Sequence, residues 1–260
     1  MNCGDIITVL HQQSSENYAC DWDNVGLLTG DEKKEVHTIY IALDGDDTAI
    51  QQAVEVKADM LLTHHPMIFR GLKKVTAQDF IGRRVIQLIQ NDIAYYAMHT
   101  NFDVKGMAEL AAKRMQLLHC QVLERTGEDL EGMVGIGRIG ELPNEITLES
   151  CAYQVKQVFN IEKVKVFGSL DKKIKRAAIC PGSGKSVIAQ AIQKGAQVLI
   201  TGDIDHHDGI DAIAQGLEII DAGHYGLEKI FIPYMKEYLE QHFENLQIIG
   251  QPVKEPFVYL

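Results

Sequence analysis

Strand-like and helix-like segments alternate along this chain, and the alternation occurs twice. HTIYIALD reads as strand, AIQQAVEVKA as helix, DMLLTHH as strand, FIGRRVIQLIQN as helix and IAYYAMH as strand. Apolar runs separated by segments of helical period form βαβ units with largely buried strands. RAAIC, SVIAQAIQKG, QVLITGD, GIDAIAQG and LEIIDAGH repeat the order in the second half. IALDGDDTAIQQAVEVKADMLLTHH (41–65) and ICPGSGKSVIAQAIQKGAQVLITGD (179–203) align without a gap, setting Thr63 against Thr201 and Ala58 against Ala196. His99 and Asp103 are four residues apart, as are His224 and Glu228, and one gap brings these pairs together. The repeat predicts an α/β fold of two related domains with mixed sheets and an internal pseudo-duplication.

Residues 125–175 change character, with Gly-rich, alternating sequence such as RTGEDLEGMVGIGRIGELPNEITL. We therefore expect a first α/β domain over 1–125, a second over 126–222, and a C-terminal segment, 223–260, that packs back on the first. YGLEKIFIPYMKEYLEQHF has apolar positions at helical spacing and reads as one helix.

PGSGKS (181–186) sits between an apolar run and a helix-like segment, as a nucleotide-binding loop would. The Walker pattern requires a glycine five residues before the glycine of its Gly-Lys-Ser, with four residues between them, and Ile179 stands there. Without that glycine the backbone cannot easily curl around a polyphosphate. The internal alignment makes PGSGKS the counterpart of the LDGDD turn, hence an ordinary strand-to-helix turn.

The 260 residues carry a net charge of −11, which disfavours nucleic acid as main partner. Lys172, Lys173, Lys175 and Arg176 read as a solvated loop or strand edge. Five scattered cysteines without a CxxC suit a reducing compartment. Neither a signal peptide nor a membrane-length apolar run is apparent, so a soluble, cytoplasmic protein is expected.

In open α/β sheets ligands gather beyond the carboxyl ends of the strands. Polar residues concentrate there: His64 and His65 in LLTHHPM, His99 and Asp103 in YYAMHTNFD, Asp221, His224 and Glu228 in IIDAGHYGLE. Adjacent histidines point to opposite faces of a regular strand, but at a strand end each could reach a different ion of a pair. His224 and Glu228 share one helical face. Imidazole with carboxylate suits zinc, iron or manganese better than calcium or magnesium. Asp203, Asp205, His206, His207 and Asp208 in TGDIDHHD read as a loop around a site or as a polar turn. Trp22 reads as a partly buried loop anchor, with substrate stacking as the alternative.

WDNVGLL (22–28), LLTHHPMIF (61–69), HTNFD (99–103), GIGRIGEL (135–142), TGDIDHH (201–207) and GHYGLE (223–228) together resemble the Ngg-one-interacting-factor-three-like proteins, also called GTP cyclohydrolase type-2 homologues. The resemblance runs through nearly the whole chain. It implies two related α/β domains with a dinuclear metal site in the cleft between them, held by His64, His65, Asp103, His224 and Glu228. It implies two divalent ions (zinc, iron or manganese) and a ring-shaped homohexamer. His99 matches a family histidine beside the site and is the candidate catalytic residue. Leu227 stands where the family usually has a small hydroxyl residue, and 260 residues leave no room for the extra domain of some relatives.

The function so implied is hydrolase-like: a metal-bound hydroxide attacks a nucleotide or related small molecule while His99 relays protons. A non-catalytic metal-binding, metal-delivery or adaptor protein is the alternative. A DHH-type phosphoesterase, suggested by DIDHH and LDGDD, is weaker, because apart from His37 no histidine stands shortly before Asp44.

Overall fold

In the computed structural model residues 1–258 are described. The chain falls into two compact units, residues 1–102 with 231–253, and residues 103–230 with 254–258. Residue 125, where the change in composition suggested a new domain, lies inside a long strand of the second unit. The Gly-rich alternation there belongs to a hairpin, which the composition alone does not distinguish from an interdomain junction.

The strands are β1 (Gly26–Thr29), β2 (Thr38–Asp44), β3 (Met60–His65), β4 (Ala94–Ala97), β5 (Leu118–Asp129), β6 (Gly132–Thr147), β7 (Lys165–Phe167), β8 (Lys173–Ser183), β9 (Val198–Gly202), β10 (Glu218–Asp221) and β11 (Gln247–Gly250). In the first unit they order as β1-β4-β3-β2-β11. β11, β2, β3 and β4 run parallel and β1 antiparallel. Every residue of β4, and all of β2 and β3 except their last, is buried. Each buried aliphatic contributes about 1.5–3 kcal/mol. On one face Tyr40, Ala42, Leu61 and Tyr95 pack against Ile50 and Ala53 of helix Asp47–Glu55 and Val85 and Leu88 of helix Phe80–Gln90.

The second unit orders as β5-β6-β8-β9-β10-β7, with β8, β9 and β10 parallel and the remaining pairs antiparallel. Its core includes Leu123, Ile139, Ala178, Leu199 and Ile219 with Val187, Ala191 and Ala212 from the crossover segments.

The two sheets repeat one another in register. Ile39 pairs with Met60 and Ile41 with Leu62 across β2–β3; Ala177 pairs with Val198 and Ile179 with Ile200 across β8–β9. The second pair in each sheet is equated by the gapless alignment, and the first continues the same register upstream. Thr63 pairs with Ala97, and Thr201 with Asp221. The antiparallel strands agree too, Gly26 with Ala97 and Lys165 with Asp221. The architecture is thus mixed α/β with two mixed sheets of related topology.

The expected C-terminal helix is two helices, His224–Glu228 in the second unit and Phe231–His242 in the first. Pro233 stands in the first turn of the latter, where its missing N–H has no helical partner to lose, while its ring opposes a continuous helix through residue 229. Within the first unit Phe231 packs its ring 5.4 Å from that of His64.

Candidate metal centre

In the first unit the candidate residues cluster where the parallel strands end. β3 stops at His65 because Pro66 has no N–H to continue the ladder. The stop is braced from inside. The Tyr95 hydroxyl accepts from Met67 N–H at 2.7 Å and donates to the His65 carbonyl, and Thr63 Oγ1 donates to that carbonyl at 2.8 Å. Burial pushes the Tyr95 phenol up to about 12, so it stays neutral. His64 and His65 have ring centroids 4.8 Å apart, and His99 lies 5.4 and 5.6 Å from them. His64 is fully buried, and His65 and His99 are half-buried.

Each of these imidazoles is oriented through the same nitrogen. His64 Nδ1 lies 2.7 Å from the Met98 carbonyl, His65 Nδ1 2.7 Å from Asp44 Oδ1, and His99 Nδ1 2.9 Å from Asp23 Oδ1. A carbonyl or carboxylate oxygen can only accept, so Nδ1 carries the hydrogen in the neutral ring and the lone pair falls on Nε2. This is the arrangement that prepares a histidine to bind a metal or to take up a proton. Asp44 reaches His65 because the two are register partners on β2 and β3.

Asp23 is the most firmly held acid here. It accepts from His99, from Thr100 N–H at 3.0 Å, and from the Thr100 hydroxyl. Burial alone would raise its carboxyl, but these donors outweigh it and hold it down to about 2. Asp23 is therefore a fixed anion behind His99.

In the second unit the corresponding strand ends gather His224, Glu228 and Asp203. His224 Nδ1 lies 2.8 Å from Asp203 Oδ2, and its Nε2 lies 2.9 Å from Glu228 Oε2. With Nδ1–H directed at Asp203, a neutral ring presents a lone pair at Nε2 toward a carboxylate, a contact held by a proton or by a metal cation. Glu228 is 2 % exposed. Gly182 makes room for it: a Cβ there would run into Glu228 Oε1, and its φ of +77° disfavours other residues independently. Asp103 opens a π-helical turn, Asp103–Met107, a geometry that recurs at functional positions. Asp103 and Glu228 both act on the buried Cys180 thiol, which is pushed up by burial first and by these carboxylates second.

Other conspicuous polar residues have structural partners. Asp205 caps helix His206–Ala214 and, with Asp208, holds Lys185, so the PGSGKS lysine is neutralised. His206 and His207 are exposed on the first turn of that helix. Asp221 binds Ile204 N–H and Lys165. Of the LDGDD acids, Asp46 caps helix Asp47–Glu55 and Asp47 pairs with Arg84, leaving only Asp44 on a histidine. Lys172 and Lys175 bind Glu218 and the Leu142 carbonyl, so that basic run is structural.

Sequence reasoning missed Asp23 and Asp44 as orienting residues and left Asp203 in an ambiguous cluster. Trp22, expected as a partly buried loop anchor, lies mostly in solvent. It is 60 % exposed at the corner of a turn closed by Asp23 N–H to the Cys20 carbonyl.

The donor set fits a transition-metal ion: imidazoles with oriented Nε2 lone pairs and a buried carboxylate. His64, His65 and Glu228 form a group that could hold a metal ion. Among the described residues no helix is long and apolar enough to cross a membrane.

Comparison with known proteins places the chain in a family. The model of the family Duf34/NIF3 (NGG1p interacting factor 3) matches residues 1–256. A protein named GTP cyclohydrolase 1 type 2 homolog, from Clostridium perfringens, is 33 % identical over 264 residues, covering all of both chains. The crystal structure of a Bacillus cereus protein related to NIF3 superposes with a TM-score of 0.94 at 25 % identity, covering 100 % of this chain and 99 % of that one. Reduced HcgD from Methanocaldococcus jannaschii superposes with a TM-score of 0.83 at 29 % identity, over 96 % and 97 % of the two chains. The chain belongs to the Duf34/NIF3 family.

Proposed function

We propose that this chain is a dinuclear metal-dependent hydrolase-like protein acting on a nucleotide or a related small molecule. In this reading His64, His65, Asp103, His224 and Glu228 hold two divalent ions, zinc, iron or manganese. The ions would supply Lewis-acid polarisation and an activated water. The protein's residues do the rest. Asp44 and Asp203 keep His65 and His224 in the ligating tautomer. His99 takes up and returns a proton at Nε2, and the buried Asp23 anion steadies its charged form.

The observation that carries the reading is the His99–Asp23 pair beside the His64–His65 pair. A carboxylate behind Nδ1 would serve a metal ligand equally well, but in this reading His99 stands beside the ligand set and outside it, which leaves its Nε2 for proton transfer. The relatives named GTP cyclohydrolase 1 type 2 homolog make GTP the first substrate to try.

The test is a hydrolysis screen of GTP and other nucleotides with zinc-, iron- and manganese-loaded protein, beside His99→Ala. Turnover that falls at least a hundredfold in His99→Ala with metal content unchanged supports the reading. Metal-loaded protein that turns over none of these compounds favours a metal-binding or adaptor role.

A further inference from the structure

The WDN motif at residues 22–24 inverts the usual disposition of its residue types. Its two polar members are held inward and its tryptophan faces out. Asp23 is fixed by His99 and Thr100. The Asn24 side chain donates to the Ile68 carbonyl, one residue before Phe69. These anchors tie two separate loops together and leave Trp22 and Phe69 side by side, 60 % and 45 % exposed. Their ring centroids are 5.8 Å apart at 48°. Both rings also reach His99, at 6.1 and 6.4 Å, and His99 in turn contacts His64 and His65. One imidazole therefore joins the exposed aromatic corner to the buried histidine pair.

Two large exposed aromatics held by buried polar braces leave apolar surface in water that packing alone would bury. Rigid rings placed in advance are what stacking recognition requires, since little entropy is lost on binding. The segment carrying Phe69 is also basic. Arg70, Lys73 and Lys74 are exposed, no acidic residue occurs from 66 to 78, and none of the three has an ion-pair partner among the described residues, whereas Arg84 is paired with Asp47.

We propose that Trp22 and Phe69 form the stacking platform for the planar heteroaromatic ring of a phosphorylated nucleoside, with Arg70, Lys73 and Lys74 receiving its phosphates. The inference rests on the hydrolase reading for the role of His99, which the platform places next to the bound ring. It names a substrate class and the residues that select it.

Trp22 is the single tryptophan, so its fluorescence reports on the platform alone. Guanosine, GTP and ribose 5-phosphate are titrated against full-length protein, once metal-loaded and once after chelation, with Phe69→Ala alongside. Saturable quenching by guanosine and GTP but not by ribose 5-phosphate is expected. GTP should bind more tightly than guanosine at low salt, the gap closing at high salt. Phe69→Ala should weaken binding about tenfold. Equilibrium dialysis of guanosine against Trp22→Ala gives a second readout, with a similar loss expected. Absence of saturable quenching, quenching by ribose 5-phosphate alone, or Trp22 emission shielded from acrylamide would overturn the platform. Equal affinity for GTP and guanosine at low salt would overturn the role of the basic segment. Quenching that survives chelation in a protein without turnover would leave the platform standing while the hydrolase reading fails.

Discussion

His224 Nε2 lies 2.9 Å from Glu228 Oε2, one helical turn away, while its Nδ1 lies 2.8 Å from Asp203. The ring is thus held between two carboxylates, and its single neutral N–H can serve only one. The other contact needs a second proton on the ring or a metal cation. His65 and His99 each have a carboxylate behind Nδ1 as well, and His64 has a backbone carbonyl. Four imidazoles aimed through the same nitrogen are a coherent preparation for chemistry at Nε2.

Removing an orienting carboxylate should weaken metal binding without removing a ligand. Asp44→Ala and Asp203→Ala are each expected to lower metal affinity about 10- to 100-fold. Full occupancy should return at higher metal concentration. A chelator-competition titration measures this, and affinities equal to wild type would remove both residues from the account.

Gly182 and Gly195 both need positive φ, but only Gly182 is crowded, by Glu228 and then His224. Gly195→Ala should cost about 1 kcal/mol of stability and leave metal content intact. Gly182→Ala should cost more and lose metal as Glu228 is pushed aside. Thermal melts and elemental analysis separate the two, and equal behaviour of the variants would contradict the cradle.

The donors around Asp23 hold its carboxyl down to about 2 in the folded protein, below the ordinary 3.8. A depressed carboxyl stabilises the fold above its unfolded pKa and loses that contribution as pH falls through the folded value. The contribution is about 2 kcal/mol at neutral pH, lost between about pH 4 and pH 2. Asp23→Asn should be less stable than wild type at pH 7, with the gap closing toward pH 2. Denaturant melts across this range check it; a gap that is constant with pH would contradict the assignment.

Much of the centre was legible because strand ends are marked in sequence. Apolar runs stop at His64–His65, before His99 and before His224, and the register that equates the two sheets was visible as a gapless repeat. The orienting acids were not legible. Asp23 reaches His99 across 76 residues, and Asp44 and Asp203 reach their histidines across 21. Such pairings are set by sheet register and loop closure, which no local pattern encodes. Trp22 was misjudged because its polar neighbours, not the indole, are the anchors. The break between Glu228 and Phe231 was hidden by apolar spacing that continues through it, although Pro233 is a helix-start signal.

Whether these residues hold metal decides everything above. The measurement is elemental analysis of untagged protein purified without added metal, beside His65→Ala and Glu228→Ala. About two zinc, iron or manganese ions per chain are expected, lost in both variants while their folds, read by circular dichroism, persist. Wild-type protein that is metal-free as purified and takes up none on titration would contradict it.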